Sequence, residues 1–116
     1  MEILIEEYSN AFVRTLIRES TEAITTYAND THQYSLIEFS DTFNFARIIR
    51  NSFSHNYVIS YSKFYKQILA SQIITWGGKS LTLQMEGDPL EKTFFGYEDA
   101  VLLFKDLREM CRTTLS

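Results

Sequence analysis

The stretch Asp41–Tyr57, DTFNFARIIRNSFSHNY, constrains the fold most, because it reads as one helix with two chemically unlike faces. Successive helical residues sit about 100° apart, which gathers Ile48, Phe45, Ile49, Phe53 and Ala46 on one arc that needs a core. The opposite arc holds Arg50, Ser54, Arg47, Asn51, Asn44 and His55, with Phe43 as its only apolar member. Asp41, just ahead of the first periodic residue, is the expected N-cap, and the helix is expected to end near Asn56. Phe43 set among polar neighbours leads to the expectation of a homodimer whose symmetric contact covers the ring.

The polar arc is unusual in composition. It carries guanidinium, carboxamide, hydroxyl and imidazole groups and lacks the Glu and Lys of a solvated face with i,i+4 ion pairs. Arg presents a permanently charged planar fork suited to phosphate oxygens. His titrates near neutrality and can take or give a proton. Asn51 lies one turn before His55, where its amide can hold the imidazole or a ligand oxygen. Arg50 and His55 lie about 140° apart on a standard helix, so a second element, or the same face of a second copy, is expected to complete a site. Glu38 is the carboxylate close enough in sequence to act as a supporting acid.

Arg50-Asn51-Ser52-Phe53-Ser54-His55 resembles the motif of the HEPN superfamily, the higher eukaryotes and prokaryotes nucleotide-binding domain: an Arg, four to six residues, then a His, often with a polar residue right after the Arg. Tyr57 extends the match to the longer motif of HEPN toxins that are paired with nucleotidyltransferase antitoxins. The resemblance covers about a sixth of the chain. It implies a small, usually dimeric helical bundle that cleaves RNA without metal or other cofactor. Arg50, Asn51 and His55 would be catalytic, and Arg47 and Ser54 would contact substrate. Tyr57 would be the residue modified with AMP by an antitoxin. Some members of the superfamily have no catalytic role, and a non-catalytic interaction or nucleotide-binding module is the alternative that the resemblance leaves open.

The rest of the chain fits such a bundle. Its 116 residues suffice for one domain, 1–116. One Pro and four Gly enforce few breaks and favour long helices. Apolar residues at helical spacing, Ile5, Tyr8, Phe12, Leu16, Ile17, Ile24 and Tyr27, predict a first helix from Ile3 to about Ala28. Tyr34–Ser40 is a short helix or lead-in segment, and Tyr57–Tyr61 is extended. Ser62 is placed to cap a helix running to about Ser71. The final helix, Tyr97 to about Thr113, carries the stripe Ala100, Leu103, Phe104, Leu107, Met110 and Cys111. Strand-like runs on both sides of Gly77-Gly78 predict a β-hairpin insertion over 72–86, because a tight two-residue turn needs the positive φ that Gly supplies. Trp76 is expected to anchor that hairpin on the bundle. The expected class is therefore mainly α: an up-and-down bundle of four to five helices with a hairpin.

Composition also narrows function. A formal net charge of −4 argues against broad, sequence-independent nucleic-acid binding, so any RNA contact is confined to Arg47 and Arg50, with Lys63 and Lys66 as further candidates. A single cysteine forms no intramolecular disulfide. There is no Gly-rich phosphate loop, no Cys/His metal set and no nucleophile beside a base. No apolar run approaches the roughly 20 residues of a membrane span and none resembles a leader. The expectation is a cytoplasmic protein with no membrane partner.

Overall fold

The computed structural model describes residues 2–116, with the side chain of Ile3 outside the description. Among the described residues there are four helices and one hairpin: α1 (Glu2–Asp30), α2 (Asp41–Ser54), α3 (Lys63–Leu69), β1 (Ile74–Trp76), β2 (Lys79–Leu81) and α4 (Tyr97–Thr114), with single 3-10 turns at Tyr34–Leu36 and Leu83–Met85. The class is mainly helical with a small antiparallel hairpin, as the sequence predicts. At about 1.5 Å per residue, the 29 residues of α1 account for the molecule's 46 Å long axis. No described helix is long and apolar enough to cross a membrane.

Helix α2 is the centre of the molecule, packed by α1, α4 and β1. Phe45, Ala46, Ile48 and Ile49 are fully buried, as the apolar arc requires. The far arc is covered as well, and here two expectations fail. Phe43 is also fully buried, edge-on to Tyr34 at a centroid distance of 6.0 Å. The chain covers this ring by itself, so Phe43 gives no reason to expect a dimer. Asn44 is buried with both ends of its amide bonded: Nδ2 donates to the Glu38 carbonyl (3.0 Å), and Oδ1 accepts from the Tyr65 hydroxyl (3.2 Å). The 3-10 turn and α3 thus roof the side that periodicity assigns to solvent.

The N-cap is Ser40, one residue earlier than expected: its backbone is extended and its Oγ accepts from the Phe43 N–H at 3.3 Å. Asp41 is the first helical residue. Its carboxylate reaches the hairpin, accepting from Thr75 N and Thr75 Oγ1, both at 3.3 Å. Ser62 caps α3 as predicted, accepting from Tyr65 N.

The hairpin pairs Ile74 with Leu81, Thr75 with Ser80 and Trp76 with Lys79 around Gly77 (φ 57°) and Gly78 (φ 75°). Pairing stops at Leu81, and the segment predicted to continue the strand folds into the 3-10 turn at Leu83–Met85. Trp76 anchors the hairpin. Its ring lies 5.4 Å from Phe45 and 6.3 Å from Phe95, and its Nε1 donates to Asp106 at 2.8 Å.

Helix α1 follows its apolar spacing only in part, with Ile17 buried and Leu16 and Ile24 packed against the core. Val13, Ile17, Thr21 and Ala28 point into the core, while Ile5, Tyr8, Phe12 and Tyr27 are exposed. The first turns of α1 lie beside the segment that leads into α4. There Phe12 meets Tyr97 at 5.3 Å between ring centroids.

Candidate functional site

The motif occupies the last turns of α2 and the reversal after it. His55 is the C-cap; its N–H reaches the carbonyls of Asn51 and Ser52 at 3.1 Å each. Asn56 (φ 63°) and Tyr57 (φ 61°) are both left-handed, and Tyr57 N donates to Ser52 O at 2.8 Å. This is the six-to-one bond of a Schellman ending, for which Asn is well suited at the first left-handed position. A Tyr in that region is strained by about 1–3 kcal/mol. It is held there by surrounding bonds: Arg14 Nη1 donates to its hydroxyl at 2.7 Å, its carbonyl accepts from Leu90 N at 2.7 Å, and its ring lies 5.4 Å from Phe53. The same reversal leaves Ser54, His55 and Asn56 exposed. Among the described residues no hydrogen bond or ion pair holds the imidazole.

One turn earlier the two arginines are engaged differently. Arg47 is half-buried; its Nη1 donates to the Tyr34 hydroxyl at 2.7 Å, and its guanidinium lies 5.7 Å from the centre of the Phe43 ring and 5.9 Å from that of Tyr65. Cation–π contact of this kind orients the group while leaving its charge intact. Arg50 forms an ion pair with Glu22 of α1 at 2.7 Å, with the two side chains 35% and 49% exposed. Its Nη1 donates to Asn51 Oδ1 at 3.3 Å, and its Nε is buried without a partner.

Two cavities flank Arg47. The larger, about 330 Å³, is lined by Arg47, Arg50, Glu22, Thr21, Thr25 and Thr26, which sets two guanidinium groups against one carboxylate. The smaller, about 170 Å³, is lined by Glu38, Asn51, Ser62 and the rings of Tyr34, Phe64 and Tyr65 along with Arg47. The motif residues are thus divided: Arg47 and Arg50 share one cavity, Asn51 and Glu38 the next, and Ser54 and His55 stand outside both linings. A third and larger hollow, about 690 Å³, lies between the first turns of α1, Phe53, Tyr57 and the segment before α4.

The carboxylate that meets Arg50 is Glu22 of α1; Glu38, the expected supporting acid, lines the smaller cavity with Arg47 and Asn51. A signal for Glu22 existed in Thr21, Glu22, Thr25 and Thr26, a polar i, i+1, i+4, i+5 patch on an otherwise amphipathic helix. Burial raises the Tyr65 pKa to about 12 despite the opposing charge of Arg47, so its hydroxyl stays protonated as the donor to Asn44. Burial likewise raises the Cys111 thiol, which suits a packing role. Among the described residues no three His, Cys, Asp or Glu side chains gather where they could hold a metal ion.

No protein-family model, no curated protein and no solved structure matches this chain.

Proposed function

We propose that the protein is a HEPN-like, metal-independent endoribonuclease acting on single-stranded RNA, as a toxin or defence component. The observation that carries this reading is that α2 directs two guanidinium groups into one polar cavity while its terminal imidazole stands free in solvent.

In this reading an RNA phosphate enters the Arg47/Arg50 cavity and displaces the Glu22 carboxylate, an exposed partner whose pairing contributes little. His55 takes the proton from the ribose 2′-hydroxyl. The 2′-oxygen then bonds to phosphorus, the bond to the 5′-oxygen breaks, and the imidazolium returns the proton to that oxygen. The product end is a 2′,3′-cyclic phosphate. Arg50 stabilises the charge that builds on the phosphoryl oxygens, and Asn51 holds Arg50 through the Nη1–Oδ1 bond. Because Arg50 lines the cavity and His55 stands outside it in solvent, the complete site joins Arg50 of one copy to His55 of another. Net acidity makes RNA binding weak and salt-sensitive.

For the antitoxin side of the proposal, Tyr57 is the acceptor of an AMP group from a nucleotidyltransferase: its phenol oxygen bonds to the α-phosphorus of ATP as the bond to pyrophosphate breaks, and the phenolic proton is lost to solvent. Its hydroxyl already accepts from Arg14 Nη1, a contact that fixes the position of the phenol oxygen.

A second reading, a non-catalytic interaction or nucleotide-binding module, is favoured by one specific contact: the Glu22–Arg50 pair fills the anion position. Incubation of single-stranded RNA in EDTA separates the two. Cleavage lost in both Arg50→Ala and His55→Ala supports the nuclease, and nucleotide binding without any cleavage supports the module. Cleavage that persists in the double variant refutes the assigned roles.

A further inference from the structure

We infer that the 170 Å³ cavity beside Arg47 is a nucleobase subsite selective for guanine; the inference rests on the reading that the adjoining Arg47/Arg50 cavity receives a phosphate. Arg47 is the wall common to both, so a nucleotide laid across this side chain puts its phosphate toward Arg50 and its base toward Glu38 and Asn51. The smaller cavity falls well below the roughly 300–1,000 Å³ of whole small-molecule sites, which suits one ring system rather than an entire ligand.

Its chemistry is that of a base pocket. Tyr34 and Phe64, both half-buried, supply aromatic surface, with the buried Tyr65 behind them, and stacking of an unpaired base on such rings is the usual support in single-strand recognition. The polar groups then choose the base. Among the described residues the Glu38 carboxylate makes no ion pair or hydrogen bond; the bond at this residue goes to its backbone carbonyl. Asn51 Oδ1 is taken by Arg50 Nη1, which leaves the Asn51 Nδ2 hydrogens to donate. A carboxylate accepts only, and an amide nitrogen donates only. Guanine matches this pair: its N1–H and N2–H donate together to the carboxylate, and its O6 accepts from Asn51. Adenine presents the N1 lone pair to the carboxylate instead. Hypoxanthine keeps N1–H and O6 but lacks the 2-amino group.

Titration calorimetry at low salt with GMP, IMP, AMP and ribose 5-phosphate tests this on the full chain. Affinity is expected to fall in the order GMP, IMP, AMP, with GMP about tenfold or more tighter than AMP. Glu38→Gln should bring GMP and AMP within about threefold while leaving ribose 5-phosphate binding unchanged, which also shows that the variant is folded. Equal affinity for GMP and AMP, a preference that survives Glu38→Gln, or no nucleotide binding at all overturns the subsite. Ribose 5-phosphate binding without base preference rejects it yet leaves the phosphate cavity standing. A Glu38-dependent GMP preference in a protein that cleaves no RNA keeps the subsite and rejects the nuclease.

Discussion

The Arg50 guanidinium and the Glu22 carboxylate, 28 positions apart in sequence, meet at 2.7 Å across the α1–α2 interface. The pair sits at the mouth of the polar cavity, where both side chains keep substantial contact with water. Pairs so exposed contribute about 0–1 kcal/mol to stability. As an occupant of an anion position, however, Glu22 competes with any phosphate that approaches Arg50.

Glu22→Gln should therefore change the denaturation midpoint little while strengthening binding of ribose 5-phosphate or GMP by several-fold, up to about tenfold. Arg50→Ala should lose that binding in either background. Calorimetry on the four proteins checks the claim. An unchanged affinity in Glu22→Gln would mean that the carboxylate does not guard the cavity.

A second prediction concerns the buried amide. Asn44 satisfies the Glu38 carbonyl and the Tyr65 hydroxyl at once, deep under the 3-10 turn. Asn44→Ala leaves both without a partner and should cost about 2–3 kcal/mol; Tyr65→Phe should cost about 1–2 kcal/mol. Because they share one bond, the double variant should lose less than the sum. Urea denaturation of the cycle measures the coupling, and strict additivity would deny that the Tyr65–Asn44 bond exists in solution.

The cap assignment is open to the same kind of measurement. Ser40 accepts from Phe43 N, whereas Asp41 ties α2 to Thr75 of the hairpin. Ser40→Ala should lower stability by about 1 kcal/mol. Asp41→Ala should cost less overall and act locally, raising hydrogen exchange at Thr75. The reverse ranking would return the cap to Asp41.

These cases show what the sequence can and cannot disclose. The stripe of α4 and the apolar arc of α2 were legible because each meets the core in the usual way, with periodic apolar positions on one side. The Gly77-Gly78 turn was legible because two adjacent left-handed residues leave few alternatives. The polar arc of α2 was misread because periodicity assumes a helix with a single packing face, and a helix at the centre of a small domain has neighbours all round. Phe43, Asn44 and Arg47 are therefore roofed by Tyr34 and Tyr65, residues whose arrival depends on tertiary topology. The polar patch of Glu22 with Thr21, Thr25 and Thr26 is visible in the sequence, but no local pattern links it to Arg50. Ser40 and Asp41 are both good caps, and only backbone conformation decides between them.

The last prediction follows from two buried phenols. Burial, with Glu86 and Asp88 adding to it, raises Tyr61 from 10.0 to about 12, and burial raises Tyr65 to about 12 against the pull of Arg47. A phenol whose folded pKa exceeds its unfolded value binds its proton more tightly in the native state, so between the two values the native state carries more protons and stability falls as pH rises. The stabilisation is complete below pH 10 and is lost progressively from about pH 10 to about pH 12. Denaturation midpoints should therefore stay level up to pH 10 with respect to these groups and drop above it. Tyr65→Phe and Tyr61→Phe should each flatten that drop, although both start from lower stability because their hydroxyls bond Asn44 and the Thr82 carbonyl. Ultraviolet titration near 295 nm offers an independent check. Two tyrosines should ionise late, and only with unfolding. A full complement titrating near 10 in the folded protein would show that these hydroxyls are not enclosed.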